Sequence, residues 1–308
     1  MINAIKTMPN LCHLVGAVTT AWPEHLDFLR LRFSDLEPSH LELCEKLAGL
    51  INKITGPELG DYCVDYRWTC RTLIQEDLQF RRTGHYRLQS FKDVEQEVYS
   101  NPKFMTPYLR GLLLSQVLWA NQTRALEFYI NSVLTRAPLN SSVLEIGPGH
   151  GILLYFASEN ENIVQITGWD ISDSSLAMTE SSLQSLGRDA PVSLSNVDIG
   201  IEQSRSTTFD IVVMSELLEH LEDPNAAIQS VWKNIKPSGL LYINVPINSP
   251  APDHIYNWPT TEAIEDMLTQ NNFTIVDKVC APMTGCSLPQ AIATKRTINV
   301  LAVGRKST

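Results

Sequence analysis

With 308 residues, 44% of them hydrophobic and 19% charged, the chain has material for one large domain with a full-sized core and a smaller one beside it. Its formal net charge of −10, from 34 acidic against 24 basic residues with no Lys/Arg cluster, excludes gripping nucleic-acid phosphates through charge alone. Nothing approaches the roughly 18 consecutive apolar residues of a membrane span, and the N-terminus, with a single early Lys6, lacks an apolar signal core, so a soluble cytoplasmic protein is expected.

The first part of the chain keeps helical spacing. Glu37 to Ile54 places Leu43, Leu47, Leu50 and Ile54 on one face, and Tyr62 to Phe80 is aromatic at its start and helical later. Phe104 to Val133 continues helically as two helices or a long bent one, with Pro102 and Pro107 where a helix can start. Ala137-Pro138-Leu139-Asn140 then breaks the pattern. We therefore read 1–136 as a mostly α-helical N-terminal cap region, and 137–308 as α/β.

Beyond the break, strand and helix signals alternate at the rhythm of βαβ units. Strands are predicted at Val143–Ile146, Ile163–Trp169, Val192–Val197, Phe209–Met214, Leu240–Val245, Phe273–Val279 and Thr297–Val303. Helices are predicted between them, among others at Ser174–Leu186, Asn225–Ile235 and Thr260–Gln270. Short apolar runs without alternation suit a parallel sheet buried on both faces. The fold class is α/β, a doubly wound, mostly parallel seven-stranded sheet with a helical N-terminal addition.

The most informative stretch is V-L-E-I-G-P-G-H-G, residues 143–151, where an apolar run ends in Glu145, Gly147, Gly149 and Gly151 follow at every second position, and an apolar helical stretch begins at Ile152. Such a turn brings backbone N–H groups up to a ligand, although any tight strand-to-helix turn has use for glycine. Asp170, ending the second strand about twenty residues on, is placed to accept hydrogen bonds from ribose hydroxyls, and Asp198, ending the third, to accept one from an adenine amino group. Each acid alone is equally a cap or turn former.

The six cysteines (Cys12, Cys44, Cys63, Cys70, Cys280, Cys286) form no CxxC pair, and His13, His25 and His40 lie in separate stretches without a carboxylate pattern. No metal is expected, and the thiols are expected reduced.

V-L-E-I-G-P-G-H-G, G-W-D-I-S, N-V-D-I and F-D-I-V-V-M-S-E-L-L-E-H-L-E-D-P, taken together over roughly Asn140 to Val303, resemble the successive motifs of class I S-adenosylmethionine-dependent methyltransferases. The glycine spacing differs from the G-x-G-x-x-G of nicotinamide enzymes. The resemblance implies S-adenosylmethionine as cofactor and assigns roles to matching residues. Gly147, Gly149 and Gly151 would let the backbone approach its methionine part, with Glu145 near the amino group. Asp170 would bind the ribose with Ile171 packing on the adenine, Asp198 and Ile199 would hold the base, and Ser215 and Glu216 would line the sulfonium region. The implied activity is methyl transfer to a small molecule, in secondary metabolism, with no nucleic acid or membrane partner.

On the substrate side, the proline-stiffened segment P-I-N-S-P-A-P-D-H-I-Y-N-W-P offers His254 and Tyr256, and the aromatic cluster Tyr62, Tyr66 and Trp68 offers Tyr66. These three are the expected catalytic or acceptor-contacting residues, with packing in loop and core as the competing account of each. The N-terminal stretches R-R-T-G-H-Y-R-L-Q-S-F and Y-L-R-G-L-L-L-S-Q-V-L-W-A-N are similar to azetidine-2-carboxylate synthases. That likeness implies an alternative reaction, in which the cofactor's own α-amine attacks its Cγ and methylthioadenosine leaves. A scaffold that binds the cofactor without turnover is the third reading.

Overall fold

Residues 2–34, 36–188, 192–199 and 207–307 are described by the computed structural model. They divide into two compact units, one of Met1–Glu127, Pro250–His254 and Pro282–Arg296, the other of Phe128–Ser249, Ile255–Ala281 and Thr297–Thr308.

The first unit is helical. It contains α1 (Pro9–Ala21), α2 (Leu26–Arg32), α3 (Pro38–Thr55), α4 (Leu59–Thr83), the short α5 (Phe91–Val94), α6 (Pro102–Leu118) and α7 (Ala120–Phe128). Proline opens α1, α3 and α6, where its missing N–H would have no partner in any case. The buried stripe of α3 runs through Cys44, Leu47, Ala48, Ile51 and Thr55. It is rotated from the expected face, leaving Leu43 and Ile54 half-buried, because the small residues Cys44 and Ala48 let neighbouring helices approach.

Three expectations are refined. The aromatic start of Tyr62–Phe80 is helix throughout, since α4 runs unbroken for 25 residues to a left-handed Gly84 cap (φ +80°). Pro107 does not start a helix but lies inside α6, at the cost of one rung of its hydrogen-bond ladder. The 104–133 stretch is two helices, because Trp119 turns extended (φ −110°, ψ 132°) between α6 and α7.

Contact between α4 and α6 is close. A Cβ on Gly111 would lie 2.1 Å from Thr69 Oγ1, whose hydroxyl lies 2.9 Å from the Asp65 carbonyl and 3.3 Å from that of Pro107.

The second unit is built on seven strands: β1 (Ser141–Ile146), β2 (Ile163–Asp170), β3 (Val192–Asn196), β4 (Phe209–Ser215), β5 (Ile235–Ile247), β6 (Phe273–Pro282) and β7 (Ile298–Lys306). Their order is β3-β2-β1-β4-β5-β7-β6. Neighbours from β3 to β5 pair in parallel, and β7 runs antiparallel to β5, with register from Leu240↔Arg305 to Ile247↔Ile298. Helices α8 (Ile152–Ser158), α9 (Asp173–Ser185), α10 (Pro224–Asn234) and α11 (Thr261–Gln270) connect the strands. Every residue of β1 is buried, as an apolar central strand requires.

Strand order reverses between β1 and β4, so the chain leaves their C-terminal ends in opposite directions and opens a crevice there. That edge is where open α/β sheets bind ligands. Among the described residues no helix is long and apolar enough to cross a membrane.

Candidate functional site

The glycine turn leads from β1 into α8. Gly147, Gly149 and Gly151 have φ of +71°, +50° and +74°, all in the left-handed region where an L side chain is strained. They are required for different reasons. A Cβ on Gly151 would press on Thr179 Cγ2 at 3.2 Å and one on Gly147 on Leu217 Cδ1 at 3.3 Å, whereas a Cβ on Gly149 would meet nothing within 4 Å. The turn is fixed from behind. Gly147 N–H donates to the Trp169 carbonyl and Gly151 N–H to the Pro148 carbonyl, each at 2.8 Å, and Thr179 Oγ1 donates to the Gly149 carbonyl at 2.7 Å. Burial lowers the His150 pKa to about 4, so this imidazole is neutral at pH 7, and its Nδ1 accepts from Ile152 N–H at 3.3 Å.

Carboxyl groups surround this turn. Glu145, next to last in β1, is 3% exposed, and its Oε2 is buried with no hydrogen-bond partner among the described residues. Burial raises its pKa well above the usual carboxylate range; the Leu154 backbone opposes the shift and the Asp170 charge adds to it. Asp170 ends β2, accepting from Ser172 N–H at 2.9 Å and from Ser175 Oγ at 2.7 Å. Those bonds moderate an upward shift caused by its burial. They use one acceptor position on each oxygen and leave the others. Next to it Ile171 is 46% exposed, an apolar side chain without apolar cover at the crevice edge. After β3, Ile199 is buried while Asp198 is exposed, and Val197 N–H donates to the Asp170 carbonyl at 2.9 Å.

Ser215 ends β4 and Glu216 follows it, on the other side of the crevice. Glu216 has φ +52°, a conformation few non-glycine residues adopt. Its N–H donates to the Asn244 carbonyl at 2.9 Å.

Thus Glu145, Gly147, Gly149, Gly151, Asp170, Ile171, Ser215 and Glu216 gather on adjoining strand ends within one unit, with Asp198 and Ile199 on the next connection. Tyr66 and His254 belong to the helical unit. Tyr66 is wholly buried, its hydroxyl 3.0 Å from His25 Nε2 and accepting from Trp119 Nε1 at 2.9 Å, which is the core packing that competed with an acceptor role. His254 is buried edge-on to Tyr86, and Tyr256, half-buried in the sheet unit, stacks at a tilt on Trp258.

Four buried groups near the crevice escaped sequence reasoning: Tyr129, Tyr242, Asn244 and Asn299. The rings of Tyr129 and Tyr242 lie 5.5 Å apart, and burial holds both hydroxyls well above the usual phenol range, with the Glu145 charge adding to it at Tyr129 and the Glu216 and then Glu145 charges at Tyr242. The available signal was a polar residue inside an apolar strand, in L-L-Y-I-N-V-P-I and T-I-N-V-L-A-V.

Residues 118–278, just over half the chain, match the family described as methyltransferase domain. The chain belongs to the class I S-adenosylmethionine-dependent methyltransferases. This methyltransferase is similar to the ubiquinone biosynthesis O-methyltransferase of Vibrio cholerae, with 32% identity over 117 residues covering 37% of this chain and 46% of that one. The enzyme of the same name from Idiomarina loihiensis is 29% identical over 102 residues, 33% of this chain and 41% of its own. The chain therefore spans less than half the length of these two curated relatives. Among solved structures, the 4+2 cyclase SpnF matches with a TM-score of 0.50 and 19% identity over 61% of this chain and 83% of its own, a likeness of fold.

S-adenosylmethionine is the cofactor this methyltransferase family implies, and the residues present fit it. Glu145, Asp170 and Glu216 put three carboxyl groups on these strand ends, which suits a ligand carrying sulfonium and ammonium charge and disfavours a pyrophosphate. The unpartnered Glu145 Oε2, at the end of β1, and the open space over Gly149, in the turn that follows, are four residues apart in the chain.

Proposed function

We propose that the protein transfers a methyl group from S-adenosylmethionine to a small-molecule acceptor. The observation that carries this reading is the turn of three left-handed glycines between Glu145 and Asp170 at the strand-order reversal. When bound, the cofactor supplies a methyl carbon on a sulfonium, which is already a good leaving group. The chain's own work is then alignment and exclusion of water. Asp170 orients the ribose through its remaining acceptor positions, Ile171 and Ile199 flank the adenine with Asp198, and the glycine backbone with Glu145 receives the amino-acid end. The acidic chain favours a small acceptor over nucleic acid, within secondary metabolism. For acceptor contact we favour Tyr256, which keeps partial exposure, over the enclosed Tyr66 and His254.

Incubation with S-adenosylmethionine, with and without a panel of small phenol, amine and carboxylate acceptors, followed by mass spectrometry, tests this. S-adenosylhomocysteine appearing only with an acceptor is the expected result. Methylthioadenosine and a four-membered imino acid from the cofactor alone overturn it in favour of cyclisation. Cofactor binding in calorimetry with neither product formed leaves the scaffold, and failure to bind the cofactor overturns all three.

A further inference from the structure

The interior of the β5–β7 pair carries two asparagines where an apolar sheet has no use for them. Asn244 is 1% exposed and Asn299 0%, among Leu240, Leu241, Ile243, Val245, Val300 and Leu301, all buried. Asparagine is disfavoured in strands, and a buried amide costs stability unless its hydrogen bonds are made.

Here they are made in a chain that ends at the crevice. Asn299 Nδ2 donates to Asn244 Oδ1 at 2.8 Å and also to Glu216 Oε1, while Asn244 Nδ2 donates to Ser215 Oγ at 3.0 Å. Register explains how the groups meet. Ser215 lies opposite Asn244 in the parallel β4–β5 pair, and Asn299 lies opposite Pro246 in the β5–β7 pair, two residues on and so on the face of Asn244. The Asn244 carbonyl also takes the N–H of Glu216 at 2.9 Å, holding that residue in its left-handed conformation. Backbone strain and a buried amide pair, each unfavourable alone, thus converge on one carboxylate.

We propose that Asn299, with Asn244 behind it, is a positioning residue that locks the Glu216 carboxylate as an acceptor for the positively charged part of the cofactor, a role that rests on the cofactor reading above. The amide supplies hydrogen and no charge, so it fixes the direction of the carboxylate without neutralising it. Removing the amide leaves Glu216 Oε1 and Asn244 Oδ1 without this donor and loosens the direction of the carboxylate. Replacing it by a carboxylate of the same shape puts like charges together, so that Glu216 ionises only at higher pH.

The test has two arms, on Asn299→Ala, the isosteric Asn299→Asp, Glu216→Gln and the Asn299→Ala/Glu216→Gln double variant. In the first, carbon-13 NMR follows the side-chain carboxyls of the ligand-free protein labelled in glutamate, the Glu216 signal being assigned by its loss in Glu216→Gln. The Glu216 titration is expected to move to higher pH in Asn299→Asp, and an unmoved titration overturns the clamp. In the second, calorimetry with S-adenosylmethionine is expected to show affinity lowered about tenfold by Asn299→Ala and by Glu216→Gln, and no further by the pair, since the two act as one unit. Additive losses, or a lowered melting temperature with unchanged affinity, mean that the asparagines only support the sheet and overturn the proposal. A wild-type protein that binds no S-adenosylmethionine overturns the proposed function instead, and the NMR arm then decides the clamp by itself.

Discussion

At the scale of single residues, Asp170 and the glycines carry separable predictions. Asp170 is already oriented by Ser172 and Ser175 and has lone pairs to spare, so Asp170→Ala removes a prepared acceptor. Weakening of S-adenosylmethionine binding by roughly 1–3 kcal/mol in calorimetry is expected, the cost of unpairing a buried polar group; unchanged affinity would show that the ribose sits elsewhere. The glycines separate stability from binding. Gly151→Ala forces a methyl against Thr179 at φ +74°, so its melting temperature should fall, by about 1–3 kcal/mol of stability. Gly149→Ala has open space for its methyl and only the backbone strain to bear, about 1–2 kcal/mol, yet it fills the ligand's side of the turn. It should lose cofactor affinity more than melting temperature, and the reverse pattern would place the ligand off this turn. The left-handed turn of the three glycines and the place of Asp170 at the end of β2 were legible in the sequence, because a backbone constraint and a strand end each leave a residue type behind. The network of Asn244 and Asn299 was not, since a polar residue inside an apolar run marks a buried amide but not the distant groups it will meet.

Elements were legible to the extent that periodicity alone decides them. The seven strands fall where apolar runs predict them, and the ends differ where register, not composition, sets the limit; β5 begins at Ile235 because it pairs with Phe209. Helix α4 was harder, since Tyr62, Tyr66 and Trp68 in its first turns signal strand as readily as helix. Packing on α1 and α6 settles the matter. The α4–α6 contact yields a sharp expectation. Gly111→Ala would drive a methyl into the Thr69 side chain and destabilise the helical unit by about 2 kcal/mol or more. Pairing it with Thr69→Ala, which clears the space, should restore part of the loss in urea titrations; equal or greater instability of the double variant would refute this packing account.

For the molecule as a whole, burial of neutral imidazoles links folding to pH. His25, stacked on Trp22 at 4.0 Å, and His150 both have pKa lowered by burial from 6.5 to about 4. Their folded values lie below the unfolded one, so the fold's preference for neutral imidazole is fully present above pH 6.5. It is lost as pH falls toward 4, where the unfolded chain has already taken up the protons. Each group is worth on the order of 2 kcal/mol across that window. Urea midpoints should therefore fall between pH 7.5 and 4.5, and His25→Gln should fall less steeply; parallel curves would assign the loss to other groups.

The insertion of β7 between β5 and β6 bears on when the molecule becomes competent. During synthesis β5 waits, with one edge unpaired, for some fifty residues of later chain, and its partner β7 includes the residue that reaches Glu216. A nascent chain halted before Ile298 would hold the glycine turn, Asp170 and Glu216 on a half-finished sheet, with Asn244 still lacking Asn299. If Asn299 positions Glu216 as proposed, full affinity for the cofactor is expected only once β7 has joined β5.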